Sequence, residues 1–420
     1  MPGSKDKGDE TERLIGNIAE VVVLRDFVVR NPKYKKSNGQ EKELTDILVP
    51  FGENAISIQA KSKVVNTKNA TEEVIESRVK KIIDDAVGQL RNTRLLADDG
   101  TVHMYKNTHG IEIPFGNPKV VKIHGIVLVN VYDQDNDHLR VGSDYVRKHD
   151  MDIHIVDVAD FYAVSSEIDT IPDLMEYLDV RGRLLNEDRL NSLNELDFLA
   201  TYKTQPDLIR EVLEDKHGRL IIHPGIWDEY QSGSATAIKL RNTLNRQSYL
   251  VDMTIEKMVE SIDYTPLVKN PLTGEPMQPG TAEGYWAVVS ELSRLKRLDR
   301  RIFGRKMEEK MRQANDPKYH EGYSLMFLKP DEGLLFYSSD NADREERAFR
   351  LSVLASTAYA AKDLRKIIGV ATEPLEGHGR SFDAMILEDV EFKNKDELKE
   401  QAKYFFDEGK HYEGYEYTDN

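Results

Sequence analysis

Apolar residues recur at helical spacing from Arg13 to Val29 (Leu14, Ile18, Val21, Val22, Phe27), which predicts a first helix stopped by Asn31-Pro32. A polar, basic loop from Lys33 to Gln40 follows. The pattern then changes to two β-rich runs, Leu44 to Pro50 and Ala55 to Lys63, joined through Phe51-Gly-Glu-Asn54 as a hairpin. Thr71 with Glu72 and Glu73 opens a second helix that runs to Leu96. Val74, Val79, Ile82, Ile83, Val87 and Leu90 form its apolar stripe, and Asp98-Asp99-Gly100 ends it. Val120 to Tyr132 is a continuous apolar run of the kind buried on both faces of a sheet, and Asp152 to Val158 is another. This order of helix, hairpin, helix, strand and strand predicts an α/β sandwich around a small mixed sheet.

Beyond Glu167 the pattern turns helical, starting at Ile171-Pro172 with a first-turn proline, and only Arg219 to His223 interrupts it as a strand. Asp263 to Glu283, rich in Pro, Gly and Thr, reads as a linker, and Glu283 to Ala314 as a long helix. The last part predicts strands at Ser324 to Leu328 and Leu334 to Tyr337, a helix from Asp343 to Asp363, and strands at Ile367 to Thr372 and Phe382 to Leu387. The expected organisation is a disordered tail over 1–12, an α/β domain over 13–165, a mainly helical region over 166–320, and an α+β module with an acidic tail over 321–420.

Composition narrows the chemistry. With 58 Lys and Arg against 74 Asp and Glu, the net charge of −16 argues against a surface that coats nucleic acid or anionic membrane throughout. The basic residues are nevertheless clustered. Arg25 to Lys42 holds six Lys or Arg against Asp26 and Glu41, and Arg294 to Arg312 holds nine against Asp299, Glu308 and Glu309. The first cluster is a candidate phosphate contact. The second is either a DNA-contacting helix or a solvated face laced with ion pairs. Zero cysteines exclude disulfides, thiolate metal sites and thiol catalysis. The polar start and the absence of a ~20-residue apolar run predict a cytoplasmic protein without a membrane span. Neither Gly-x-x-x-x-Gly-Lys-Ser/Thr nor Gly-x-Ser-x-Gly occurs, and the histidines, His149, His154, His217 and His223 among them, fall at no zinc spacing.

The informative residues lie in the first hairpin. In a strand Ile56, Ile58 and Ala60 face one way, and Ser57, Gln59 and Lys61 the other, so one face is expected apolar and one polar. A two-residue loop at Glu53-Asn54 sets Asp46 opposite Lys61, and a four-residue loop sets it opposite Gln59. Either way Asp46, Gln59 and Lys61 converge on one face. A carboxylate, an amide oxygen and a lysine together suit a magnesium and water site, since Mg²⁺ takes oxygen ligands and usually only one or two carboxylates. Glu20 on the first helix is a further candidate, and Gln89 on the second either approaches the site or faces water.

Glu20, then Asp46, then Gln59-x-Lys61, followed by a helix and a buried strand, resembles the PD-(D/E)XK nuclease superfamily, nearest its Mrr-like restriction endonuclease branch, in which glutamine often replaces the acid. The resemblance covers residues 13–160 and departs from the family pattern at Thr45, where proline is usual before the aspartate. It implies a restriction-endonuclease-like core and a DNA endonuclease dependent on Mg²⁺ (or Mn²⁺). Glu20, Asp46 and Gln59 would be the metal ligands and Lys61 the water-orienting group, with Lys33, Lys35, Lys36 and Lys42 near the phosphates. By analogy it also implies regulated defence against foreign DNA in a prokaryote, a partner protein of such a defence system, and a homo-oligomer for cutting two strands. The alternatives are a nuclease fold without activity that binds DNA or acts as a scaffold, and an RNase using the same residues. The plain readings of the single residues are a solvated Glu20 and an edge-strand Lys61.

Overall fold

A computed structural model describes residues 27–406, apart from 66–69, 103, 107–111, 116–121, 133–137, 140, 143, 192–193, 234, 261–281, 342 and 376–380. The chain forms two compact units, Met1–Ile238 and Lys239–Asn420. The helical stretch expected over 166–320 is thus shared between them. Glu20 and nearly all of the first expected helix lie outside the described residues, as does most of the expected linker. Val29, expected in that helix, instead belongs to a short strand, because its backbone pairs with Leu48.

The first unit is built on a mixed sheet of seven strands. Its path runs β1 (Val29–Arg30), β4 (Ile47–Phe51), β5 (Asn54–Val64), β8 (Lys122–Tyr132), β11 (Met151–Asp157) and β10 (Asp144–Lys148), with β9 (His138–Leu139) paired to β8. The stretch Lys33 to Gln40, expected as a loop, largely folds into a small separate hairpin, β2 (Lys33–Lys35) on β3 (Glu41–Glu43). Likewise β6 (Met104–Lys106) pairs with β7 (Glu112–Pro114). Strands β4 and β5 are antiparallel, while β5, β8 and β11 run parallel. Parallel neighbours need a crossover, and helix α1 (Glu72–Asp98), with Thr71 as N-cap, lies between β5 and β8 in sequence.

Val87 and Leu90 of α1 pack with Leu48, Ala55, Val127, Val129, Met151 and Ile153 in one core. A Cβ on Gly125 would come within 3.1 Å of the Leu90 side chain, so the helix rests directly on β8 there. Ser57 is level with Gly125, Gln59 with Val127 and Lys61 with Val129, which places these three β5 residues on the helix side. The polar face is covered by the helix: Ser57 and Gln59 are buried, as are Ile56 and Ile58 on the other side. The reason is position in the sheet, since β5 is an interior strand with a helix over one face. On the opposite face, α2 (Val158–Glu167) follows β11 and α3 (Ile171–Asn186) packs on β10 and β11. Helices α4 (Glu195–Thr204), α5 (Pro206–Glu214) and α6 (Ile226–Gly233) follow in the chain, together with the strand pair β12 (Leu190–Asn191) and β13 (Leu220–Ile221).

The second unit begins within α7 (Ala235–Glu260) and continues with α8 (Ala282–Ser293) and α9 (Arg297–Asn315). The single long helix expected from Glu283 to Ala314 is broken near Leu295. Arg300 donates to the carbonyls of Ser293 and Leu295 freed at the break and pairs with Asp252. The β-β-α-β-β order follows as predicted: β14 (Glu321–Lys329), β15 (Glu332–Ser339), α10 (Arg344–Ala361), β16 (Lys366–Thr372) and β17 (Phe382–Glu388), closed by α11 (Lys395–Phe406). The strands lie side by side in that order, with β15 and β16 parallel across α10. Among the described residues no helix is long and apolar enough to cross a membrane.

Candidate functional site

The register of β4 and β5 settles the two hairpin alternatives. Phe51 pairs with Asn54 and Ile47 with Ile58, so the turn is Gly52-Glu53, the register is the one expected of the four-residue loop, and the paired ladder ends at Ile47, just after Asp46. Gly52 sits at φ 61°, the left-handed conformation that such a two-residue turn requires. Asp46, half-buried, accepts a 2.6 Å hydrogen bond from the Ala60 backbone N–H through Oδ2. This carboxylate therefore ties the residue before β4 to the β5 backbone at Ala60, the neighbour of Gln59 in sequence.

Gln59 is held at both ends. Its Nε2 donates to Thr45 Oγ1 at 3.2 Å, and its Oε1 accepts from Lys61 Nζ at 3.3 Å. Thr45 is the hub of the group: its hydroxyl donates to the Ile58 carbonyl at 2.8 Å and accepts from Ser57 Oγ at 2.9 Å. Lys61 also donates to Gln89 Oε1 at 2.7 Å, so the second helix does reach the site. One turn further along that helix, Thr93 Oγ1 donates to the Leu44 carbonyl at 3.0 Å, which fixes α1 against the segment before β4 that carries Thr45 and Asp46. Such a chain of partners holds each polar group in one orientation, because an unmatched donor in a buried site is costly.

The structure thus joins Gln59 and Lys61 to Thr45, Ser57 and Gln89, and bonds Asp46 to the Ala60 backbone between Gln59 and Lys61. Glu20 lies outside the described residues. Lys33, Lys35, Lys36 and Lys42 are all exposed in or beside the small β2–β3 hairpin. That hairpin is anchored next to the site, since Asn31 N–H donates to the Asp46 carbonyl at 2.8 Å and Leu44 N–H to the Pro32 carbonyl at 2.7 Å. The basic stretch of α9 behaves differently. Of the nine cations from Arg294 to Arg312, at least six have carboxylate partners: Arg294 with Glu291, Arg297 and Arg300 with Asp252, Lys306 and Lys310 with Glu309, and Arg312 with Glu308. This pairing follows the ion-pair reading of the helix, with Arg300, Lys306 and Lys310 buried.

The donor set near Asp46 fits magnesium in its chemistry. A carboxylate and an amide oxygen are hard oxygen donors, and an adjacent ammonium complements a phosphate. The fit includes only one carboxylate among the described residues of this group. Thr45 has no sequence signal as a site member, and Ser57 reads only as part of the polar face, because a buried hydroxyl has no motif of its own. A second polar group, around His124 and Asp152, lies on the opposite face of the same sheet, and spacing along the chain could not reveal it. Compared with protein-family models, with curated proteins and with solved structures, the chain gives no match in any of the three.

Proposed function

We propose that the first unit is a nuclease domain of the restriction-endonuclease type that hydrolyses DNA phosphodiesters with Mg²⁺ or Mn²⁺. The observation that carries this reading is the hairpin contact that bonds the Asp46 carboxylate to the backbone of Ala60, the residue between Gln59 and Lys61, while Lys61 is bonded to that glutamine. Support also comes from the topology: the hairpin strand β5 is followed by α1 and the β6–β7 pair and then by a parallel β8 whose interior residues are buried. In this reading Asp46 and Gln59 hold the ion, with Glu20 as a third ligand. The ion supplies Lewis-acid stabilisation of charge on the phosphate. Lys61 orients the attacking water, Gln89 holds the lysine, and Thr45 holds the glutamine oxygen toward the reaction. The β2–β3 lysines contact the backbone phosphates beside the cleaved bond. A role in regulated prokaryotic defence, a partner protein from such a system, assembly of two copies for duplex cleavage and a cytoplasmic location belong to the same proposal.

The network itself favours a second reading. Gln59 brings no charge and is bonded at both ends, as befits a nuclease fold that binds DNA without turning it over. Plasmid nicking by the full-length protein with Mg²⁺ or Mn²⁺ separates the two. Loss of nicking in Asp46→Asn and Lys61→Ala, with unfolding midpoints near that of the wild type, is expected. Equal nicking by wild type and both variants would sink the assigned site, and binding without cleavage by the wild type under every metal would favour the second reading. RNA substrates run in parallel distinguish an RNase. Replacing Lys33, Lys35, Lys36 and Lys42 with Gln is expected to weaken DNA binding and to reduce the salt slope by about 0.9 for each phosphate no longer neutralised.

A further inference from the structure

On the face of the sheet turned away from α1, polar residues from three elements meet. Asp152 of β11 is level with His124 of β8, and parallel neighbours in register share a face. His124 is level with Ile56, whereas Gln59 and Lys61 point to the other side. Helix α3 covers this face closely at Gly182: a Cβ there would come 3.2 Å from the Tyr145 ring, 3.3 Å from the His154 ring and 3.7 Å from the Asp152 carboxyl carbon. Three residues before that glycine, α3 carries Asp179. His124 Nε2 lies 3.2 Å from Asp179 Oδ1, and one ligand atom each from His124, Asp152 and Asp179 all lie within 4.8 Å of one another.

We propose that His124, Asp152 and Asp179 form a binding site for a zinc-like transition-metal dication, separate from the Asp46 group. One imidazole nitrogen and two carboxylate oxygens leave a fourth position for water and suit zinc, whereas magnesium prefers oxygen alone. Outer contacts already aim the ligands: Tyr145 Oη donates to Asp152 Oδ1 at 2.6 Å. The site attracts positive charge, since Lys122 Nζ sits against Asp179 Oδ1 and 3.5 Å from Asp152 Oδ2. That ammonium is on a flexible, partly exposed stem and is displaced when a dication enters. Asp179 is half-exposed and provides the way in.

A second observation is independent of the acidic pair. His124 is 1% exposed, and its Nδ1 has no hydrogen-bond partner; the same holds for Nε2 of the fully buried His154, whose ring centroid is 5.7 Å away. Burying an imidazole nitrogen unmatched costs about 1–3 kcal/mol and gains nothing for folding alone. The nitrogen that faces the carboxylates is Nε2, so a metal bound there orients the buried ring without matching Nδ1.

The test uses the full chain with zinc chloride, followed by calorimetric titration and by zinc-edge X-ray absorption. The Asp46→Ala background silences the other oxygen group. One zinc per chain is expected in that background, with one imidazole and otherwise oxygen ligands in the absorption spectrum. Asp179→Asn should weaken binding by ~10-fold or more. Lys122→Met should tighten it, a gain that a folding defect cannot imitate. Unchanged zinc affinity in both Asp179→Asn and Lys122→Met, or no stoichiometric zinc in any of these proteins, would overturn the proposal and leave Lys122 as an ordinary ion-pair partner.

Discussion

Replacing Glu195 with glutamine strands a buried cation. Arg181 and Glu195 are 1% and 3% exposed. The arginine Nε lies 3.0 and 2.9 Å from the two carboxylate oxygens, and Nη2 lies 2.9 Å from one of them. Nη1 donates to the Asp144 carbonyl at 3.2 Å and meets His154 Nδ1 at 3.1 Å, so the pair joins α3 and α4 to the sheet. Tyr177 donates to the same carboxylate, and burial together with the Glu195 charge pushes its phenol well above the ordinary range, so it remains a donor. At ~3 Å and an effective dielectric near 20, the Coulomb attraction is about 5 kcal/mol. Glu195→Gln keeps an acceptor for Tyr177 but removes the anion, which for a buried pair costs about 3–5 kcal/mol.

The assay is urea unfolding followed by Trp227 fluorescence in a Trp286→Phe background, so that the signal comes from the first unit alone. With a urea slope of ~2–3 kcal/mol per molar, the midpoint should fall by about 1–2 M. The double variant Arg181→Met with Glu195→Gln should recover most of that loss, because the stranded charge is gone. A fall of less than ~0.3 M for Glu195→Gln, or a double variant no more stable than the single one, would refute the argument that charge burial dominates here.

Three other outcomes follow from the same kind of reasoning. Thr45→Val preserves shape but leaves the Ser57 hydroxyl and the Gln59 amide without their acceptor, so thermal unfolding should report a loss of about 1–3 kcal/mol along with reduced nicking. Gly304→Ala sets a Cβ 1.9 Å from the Gln247 carbonyl oxygen of α7, so the second unit should lose at least the ~1–3 kcal/mol typical of overpacking; an unchanged melting temperature would contradict the close crossing. Burial alone would raise the Glu373 carboxyl, but bonds from Ser381 and the Arg347 guanidinium outweigh it and hold the group below its ordinary range. Its stabilisation is therefore present above the unfolded carboxyl value of about 4.3 and is lost as pH falls through the folded value. Glu373→Gln should lower stability at pH 7 and flatten the acid limb of a Trp286-monitored titration, whereas an unaltered limb would assign the acid transition to other groups.

Much of this fold is written locally. Strand alternation has period two, so the side chains of Gln59 and Lys61 share a face whatever the tertiary structure, and the even turn at Gly52-Glu53 sets the β4–β5 register. The caps and stops of α1, the apolar run of β8 and the β-β-α-β-β order of the second unit were equally legible, since each rests on neighbouring residues. Which strands become neighbours depends on contacts distant in sequence. Only the tertiary structure placed β5 inside the sheet under α1, which buried the polar face and turned Thr45 into the hub for Gln59. It also aligned His124 with Asp152 and laid Asp179 over both, through a parallel register and a helix packed at a glycine, neither of which leaves any spacing in the chain. Local periodicity fixes which way a side chain points, but long-range pairing decides what it meets.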